Sequence, residues 1–243
     1  MKKSIAKLTL ALTLVVPALG AQAADVTLSN WLYGNGALVS VVDASGPFRG
    51  RAGGLNGVLS GEGFAVTPFV TYSVEYGADL RVGASLSGYN LVAGASYFER
   101  RLGDAGVAEQ IAKLMRYADD NSGLVNTANG SAALQVAIWD AIQSAVTTRS
   151  GTSSGVVGGL SNNNAVAQSL LAGAQSVTDS RYDVWVLERG TSPDLLLLTA
   201  RAVPQDNSVP EPGSLALALT ALAGLGVGVR RRQARVLGRP PAP

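Results

Sequence analysis

The sequence predicts an α+β domain in which strands and helices are segregated along the chain rather than alternating. Three observations point there. Residues 25–103 carry β-branched and aromatic residues between glycine-rich turns; residues 104–174 change to helical periodicity; residues 182–187 and 195–202 return to short strand-like runs around a turn at 190–193. The predicted order is a β-rich N-terminal part, about three helices, a C-terminal β-hairpin and then a separate short transmembrane helix.

Within the β-rich part, residues 38–42, 64–76 and 91–98 are the strongest strand candidates, punctuated by Ser45-Gly46-Pro47 and Gly61-Glu62-Gly63. Val107, Ile111, Leu114 and Met115 recur at helical spacing, so residues 104–117 read as an amphipathic helix ending at Asp119-Asp120-Asn121-Ser122-Gly123. Residues 131–146 are apolar nearly all round, which places that helix inside the domain. Residues 147–164 are rich in Ser, Gly and Asn and read as a loop, and residues 165–174 form a third, alanine-rich helix.

Both ends stand apart from the fold. Lys2, Lys3 and Lys7 precede an apolar run over residues 8–16, followed by Pro17 and by Ala21-Gln22-Ala23. That order reads as a secretory signal over residues 1–24, cut after Ala23 or Ala24, with Ala21 and Ala23 as the small residues the peptidase needs. Residues 25–203 form the extracytoplasmic domain, and residues 204–212 a Pro/Asn/Ser linker. Residues 213–229 form an apolar segment, and residues 230–243 an arginine-rich tail. The fifteen uncharged residues at 215–229 span about 22 Å as a helix against a hydrocarbon core of roughly 30 Å. Gly213-Ser214 and the stems of Arg230, Arg231 and Arg232 bring the span closer to that thickness. Arginines after the span favour a cytoplasmic C-terminus, with the domain on the far side of the inner membrane.

The whole chain has a formal charge of +2, but the positive residues sit in the ends. Between residues 24 and 208 one lysine and ten arginines face sixteen acids, a balance of −5. There is no basic stripe, so nucleic acid is not an expected partner. The chain has no cysteine and no histidine. That removes Ser-His-Asp and Cys-His catalysis and the usual zinc, copper and haem ligands. Lys113, the one lysine left after signal cleavage, lies on the amphipathic helix, where a solvated role is expected.

Val209-Pro210-Glu211-Pro212-Gly213-Ser214, the short apolar helix and the arginine cluster together resemble a PEP-CTERM sorting signal over about residues 208–235. The resemblance implies a Gram-negative bacterium with an exosortase, a membrane cysteine protease that processes such tails. It also implies display or release at the cell surface, often beside exopolysaccharide and biofilm production. Pro210 and Pro212 bar regular structure around Glu211 and keep the motif extended for a protease.

A second resemblance lies inside the domain. Residues 131–142 contain Gln135-Val136-Ala137-Ile138-Trp139, similar to the Gln-x-Ala-Ile-Trp helix of bacterial thioester domains. Those are surface adhesin modules in which a cysteine on an early strand bonds to the glutamine, giving a thioester that acylates an external nucleophile. The matching strand here is Tyr72-Ser73-Val74-Glu75, so the cysteine position holds Ser73 while Gln135 and Trp139 are kept. A serine hydroxyl is neither a good nucleophile nor a good leaving group without a base. The expected state is an unbonded pair, with a hydrogen bond between the Ser73 hydroxyl and the Gln135 amide. Read without the resemblance, Gln135 is a polar residue on a buried helix and Trp139 a core aromatic.

Other candidates are bland. Glu62, Glu75, Asp140 and Glu188 include the carboxylates a glycosidase would need. Asp119 and Asp120 lack the later ligands of an EF-hand loop. Arg49-Gly50-Arg51 with Gly53-Gly54 lacks the Lys-Ser/Thr of a phosphate loop and reads as a loop segment. Asn129-Gly130-Ser131 fits a glycosylation sequon of little value in a bacterial chain. No cofactor or metal is expected. The leading expectation is a non-catalytic binding or structural module, sorted by exosortase after signal peptidase, with exopolysaccharide or a surface ligand as partner. The alternative is a secreted carboxylate-based glycosidase acting on exopolysaccharide.

Overall fold

The computed structural model describes residues 23–43, 46–61, 64–75, 80–150, 157–158, 161–190 and 192–201. Residues 1–22, with most of the signal segment and Ala21, lie outside the described residues, as do Glu62, the linker, the sorting motif, the apolar segment and the arginine tail.

The N-terminal half is built of six strands: β1 Ala23–Trp31, β2 Ala37–Asp43, β3 Gly46–Ala52, β4 Leu55–Gly61, β5 Phe64–Thr71 and β6 Ser85–Ala93. Helices α1 Gly94–Leu102, α2 Gly106–Asp120 and α3 Ala128–Ser150 follow, with a 3₁₀ turn at Ser122–Leu124. The short β7 Val157–Gly158, helix α4 Ser161–Gln175 and strands β8 Tyr182–Glu188 and β9 Leu195–Ala200 complete it. The fold is therefore mixed α+β with a β-rich N-terminal part.

One antiparallel sheet runs in the order β5-β4-β1-β6-β8-β9. Its two edges meet. Ser73 bridges Leu195 in antiparallel fashion, just beyond β5 and at the start of β9. The Leu196 N–H donates to the Tyr72 carbonyl at 2.9 Å and the Val74 N–H to the Asp194 carbonyl at 2.9 Å. The Thr71 hydroxyl donates to the Leu196 carbonyl at 2.8 Å. The sheet almost closes on itself, so the edge groups of β5 and β9 find partners here.

The period of two along β8 and β9 sorts side chains between two cores. Leu187, Leu195 and Leu197 face inward with Val26, Leu28, Leu55, Leu59 and Tyr89. Val184, Val186 and Leu196 face outward and pack with Tyr72, Val74 and the helices. Both faces of β8 and β9 are thus covered, which is why Leu195-Leu196-Leu197-Leu198 is a continuous apolar run. A second sheet, in the order β3-β2-β7, adjoins α3 through the edge-to-face contact of Phe48 with Trp139, 6.2 Å between ring centroids.

Helix α3 is buried on every side from Ala132 to Trp139, in keeping with its apolar circumference. Three sequence expectations are corrected. Residues 91–98 are not one strand, because β6 ends at Ala93 and Gly94 opens α1. A Cβ at Gly94 would stand 2.7 Å from the Val184 carbonyl oxygen, so a glycine lets α1 leave the sheet close to β8. Tyr97 and Phe98 turn to the core, Arg100 and Arg101 occupy the last turn, and Gly103 caps the helix at φ 71° with its N–H on the Glu99 carbonyl. There are also four helices among the described residues rather than about three. Part of the expected loop at 147–164 is helical: α3 runs to Ser150 and α4 starts at Ser161. Among the described residues no helix is long and apolar enough to cross a membrane.

Candidate functional site

Ser73 follows β5, where the chain leaves the sheet and passes β9. Gln135 and Trp139 are one turn apart on α3, so both project from one helix face. The fold brings the three together. The Ser73 N–H donates to Gln135 Oε1 at 3.0 Å. Gln135 Nε2 donates to the Ser73 carbonyl at 2.9 Å, and Trp139 Nε1 donates to the same carbonyl at 3.1 Å. Ser73 and Gln135 are each 1% exposed, so a strongly dehydrated peptide group has its donor and both acceptor positions filled.

The expected bond between the Ser73 hydroxyl and the Gln135 amide is not formed. The amide pairs with the Ser73 backbone, and the hydroxyl turns away to donate to the Glu75 carbonyl at 2.6 Å. The arrangement holds chain against helix, with the hydroxyl engaged as a donor to a carbonyl.

Beside this pair lies a charged network. Asp194 is 2% exposed yet ionisable. Its Oδ2 accepts from the Tyr97 hydroxyl at 2.6 Å and from Arg101 at 3.3 Å, and its Oδ1 accepts from the Arg189 N–H at 2.9 Å. Arg101 also reaches Glu75 Oε1 at 3.1 Å. Burial, and then the Asp194 charge, push the Glu75 carboxyl above its ordinary value, with Arg101 acting the other way. Burial and the bond to Asp194 push the Tyr97 phenol well up.

Glu75, Arg101 and Asp194 line a cleft of about 760 Å³, together with Arg81, Glu188 and Arg189. Of the carboxylates singled out from sequence, Glu75 and Glu188 therefore share one cleft. Glu188 is paired with Arg100 at 2.6 Å. Asp140 is half-buried on α3 and is not among the cleft-lining residues. Sequence reasoning missed Asp194, Tyr97, Arg101 and Arg189. The available signal was Asp194 itself, an acid directly before a four-leucine strand.

The remaining described candidates do not line the cleft. Asp119 accepts from the Tyr182 hydroxyl, and Asp120 pairs with Arg181 and Arg116. Among the described residues no group of three or more acids is placed to hold a metal. Arg49-Gly50-Arg51 lies in β3 rather than in a loop, and Arg51 donates to the Asn35 carbonyl at 3.0 Å. Ser131 of the sequon is buried, and its Oγ accepts the Gly54 N–H at 2.8 Å. Lys113 is half-exposed on α2. Ala23 and Ala24 open β1, where Ala24 is fully buried.

The PEP-CTERM protein-sorting motif matches residues 208–232, which include Val209, Pro210, Glu211, Pro212, Arg230, Arg231 and Arg232. The chain carries an exosortase sorting signal, the mark of an exported protein anchored at a membrane for sorting. No curated protein and no solved structure matches the chain.

Proposed function

We propose that this chain is a surface or extracellular-matrix protein whose domain binds exopolysaccharide or another surface ligand without bond-making chemistry. Signal peptidase frees the N-terminus near Ala23. Residues 213–229 hold the chain in the inner membrane, with the domain in the periplasm and Arg230, Arg231 and Arg232 on the cytoplasmic side. Exosortase then acts at Pro210-Glu211-Pro212, and the domain reaches the surface or the medium.

The observation that carries the non-catalytic reading is the closure of Gln135 on the Ser73 peptide. A thioester domain needs a reactive side chain facing the glutamine carbonyl. Here the glutamine amide is spent on backbone, and the hydroxyl in the cysteine position points elsewhere. The reading is a domain of thioester-module descent that keeps the helix and has lost the thiol. Fractionation tests the sorting half. A Pro210→Ala/Glu211→Ala variant is expected to accumulate in the inner membrane, and wild-type display by that variant defeats the reading.

A second reading is favoured by the cleft that holds both Glu75 and Glu188: a glycosidase acting on exopolysaccharide. The raised Glu75 carboxyl would serve as acid and Glu188 as the ionised partner. Against it, each carboxylate is held by an arginine. Release of reducing ends from the polysaccharide, abolished in Glu75→Gln and in Glu188→Gln, would establish this reading and displace the first.

A further inference from the structure

The cleft carries more than its two glutamates. Arg101 is shared between Glu75 and Asp194, and Glu188 is taken by Arg100. Arg189 stands differently. Its Nη1 donates to Ser192 Oγ at 2.7 Å, and its guanidinium lies 5.8 Å from the centre of the Tyr89 ring. Among the described residues no carboxylate lies within ion-pair distance of it. Its backbone N–H, not its side chain, is what Asp194 holds.

We propose that this cleft binds a carboxylated sugar, a uronate unit of a polysaccharide, with Arg189 taking the carboxylate. The proposal rests on the matrix-binding reading above and names its site. A planar guanidinium held from one side by Ser192 and backed by an aromatic ring has donors left for a bidentate pair with a carboxylate. Three carboxylates, Glu75, Glu188 and Asp194, stand in the same cleft. A monoanion is accommodated, whereas a dianionic phosphate ester would meet repulsion from Glu75, Glu188 and Asp194. The glutamates keep lone pairs beyond their arginine bonds, and those accept from sugar hydroxyls. The volume falls within the ordinary range for ligand clefts, roughly 300–1,000 Å³.

The test uses the full chain in detergent and two probes, tri-galacturonate and its methyl ester, which removes the charge and keeps the sugar. Calorimetric titration is expected to show binding of the acid, with the ester and the Arg189→Gln variant each weaker by about tenfold or more. Arg189→Lys, which keeps the charge and loses the fork, is expected to fall between. Circular dichroism confirms that each variant is folded, and Ser192→Ala, which removes the hydroxyl that Arg189 and Tyr89 share, gives a second arm with a smaller loss. Equal affinity for acid and ester, or unchanged affinity in a folded Arg189→Gln, overturns the proposal. Co-sedimentation with intact acidic polysaccharide separates it from the broader reading. Wild type and Arg189→Gln sedimenting equally would sink the cleft assignment alone. Wild type that binds tri-galacturonate but fails to sediment with polymer would uphold the cleft and sink the matrix reading.

Discussion

Gln135 pairs with the Ser73 backbone as a neighbouring strand would, its Oε1 taking the N–H at 3.0 Å and its Nε2 giving a hydrogen to the carbonyl at 2.9 Å. A helix side chain thereby stands in for a strand at the point where β5 gives way to the seam with β9. Backbone amides buried this deeply are costly to leave unpaired, so the pair fixes how α3 sits on the sheet.

Replacing Gln135 by Leu keeps the volume and strands the Ser73 N–H, while Trp139 still serves the carbonyl. The expected loss is about 1–3 kcal/mol in urea denaturation. Gln135→Glu is expected to behave differently with pH. Its carboxylate would face the Ser73 carbonyl with no hydrogen to give, and burial would raise its pKa in the folded state. A raised acid stabilises the fold below its unfolded pKa and loses that contribution as pH rises. The variant should therefore approach wild-type stability near about pH 4 and fall away toward neutrality. A pH-independent loss would contradict this.

Ser73 itself should matter far less than its position suggests, because Gln135 and Trp139 bind its backbone and not its hydroxyl. Ser73→Ala removes one hydrogen bond to the Glu75 carbonyl and should cost about 1 kcal/mol. Intact mass of the exported protein is expected to show no loss of ammonia in wild type or variant. An ammonia loss that disappears in Ser73→Ala would prove an ester between Ser73 and Gln135.

What the sequence made legible here follows from periodicity. Gln135 and Trp139 at i and i+4 must share a helix face, and an all-round apolar helix must be interior; both are local statements. That Ser73 meets that face depends on β5 reaching β9, more than a hundred residues later, and no local pattern encodes that pairing. The boundary at Ala93 is hidden from the local pattern for a related reason. Leu91 to Phe98 is apolar and aromatic enough for a strand, and only the packing of Gly94 against Val184 turns it into a helix start. The network around Asp194 is assembled from α1, the segments beyond β5 and β8, and the residue just before β9, so its members look like ordinary surface charges when read along the chain.

The buried phenols set an alkaline limit. Burial pushes Tyr72 up to about 12, and burial together with a carboxylate neighbour pushes Tyr97 and Tyr182 up further. The unfolded chain releases these protons near about pH 10, so above that point it binds fewer protons than the folded one and stability falls as pH rises. Unfolding is expected to set in between about pH 10 and 12, with phenolate absorbance rising cooperatively alongside loss of circular dichroism. Smooth titration of all the tyrosines near about pH 10 without unfolding would refute the burial argument.

Helices α2 and α4 meet where Gly173 lies under the Tyr117 ring, and a Cβ there would stand 2.1 Å from Tyr117 Cζ. Alanine in place of glycine favours a helix by about 1 kcal/mol on propensity alone. The ring would have to move by more than an ångström, and overpacking of that kind costs about 1–3 kcal/mol, so Gly173→Ala should be net destabilising. The sign should invert once the ring is gone: in a Tyr117→Ala background only the propensity gain remains, and Gly173→Ala should stabilise. Gly130→Ala provides the contrast, since its Cβ would meet the Leu124 carbonyl oxygen at 2.1 Å, and that is main chain that no side-chain deletion can clear. A thermal-melt double-mutant cycle decides it. If Gly173→Ala has the same effect with and without the Tyr117 ring, the helices are not held apart by that contact.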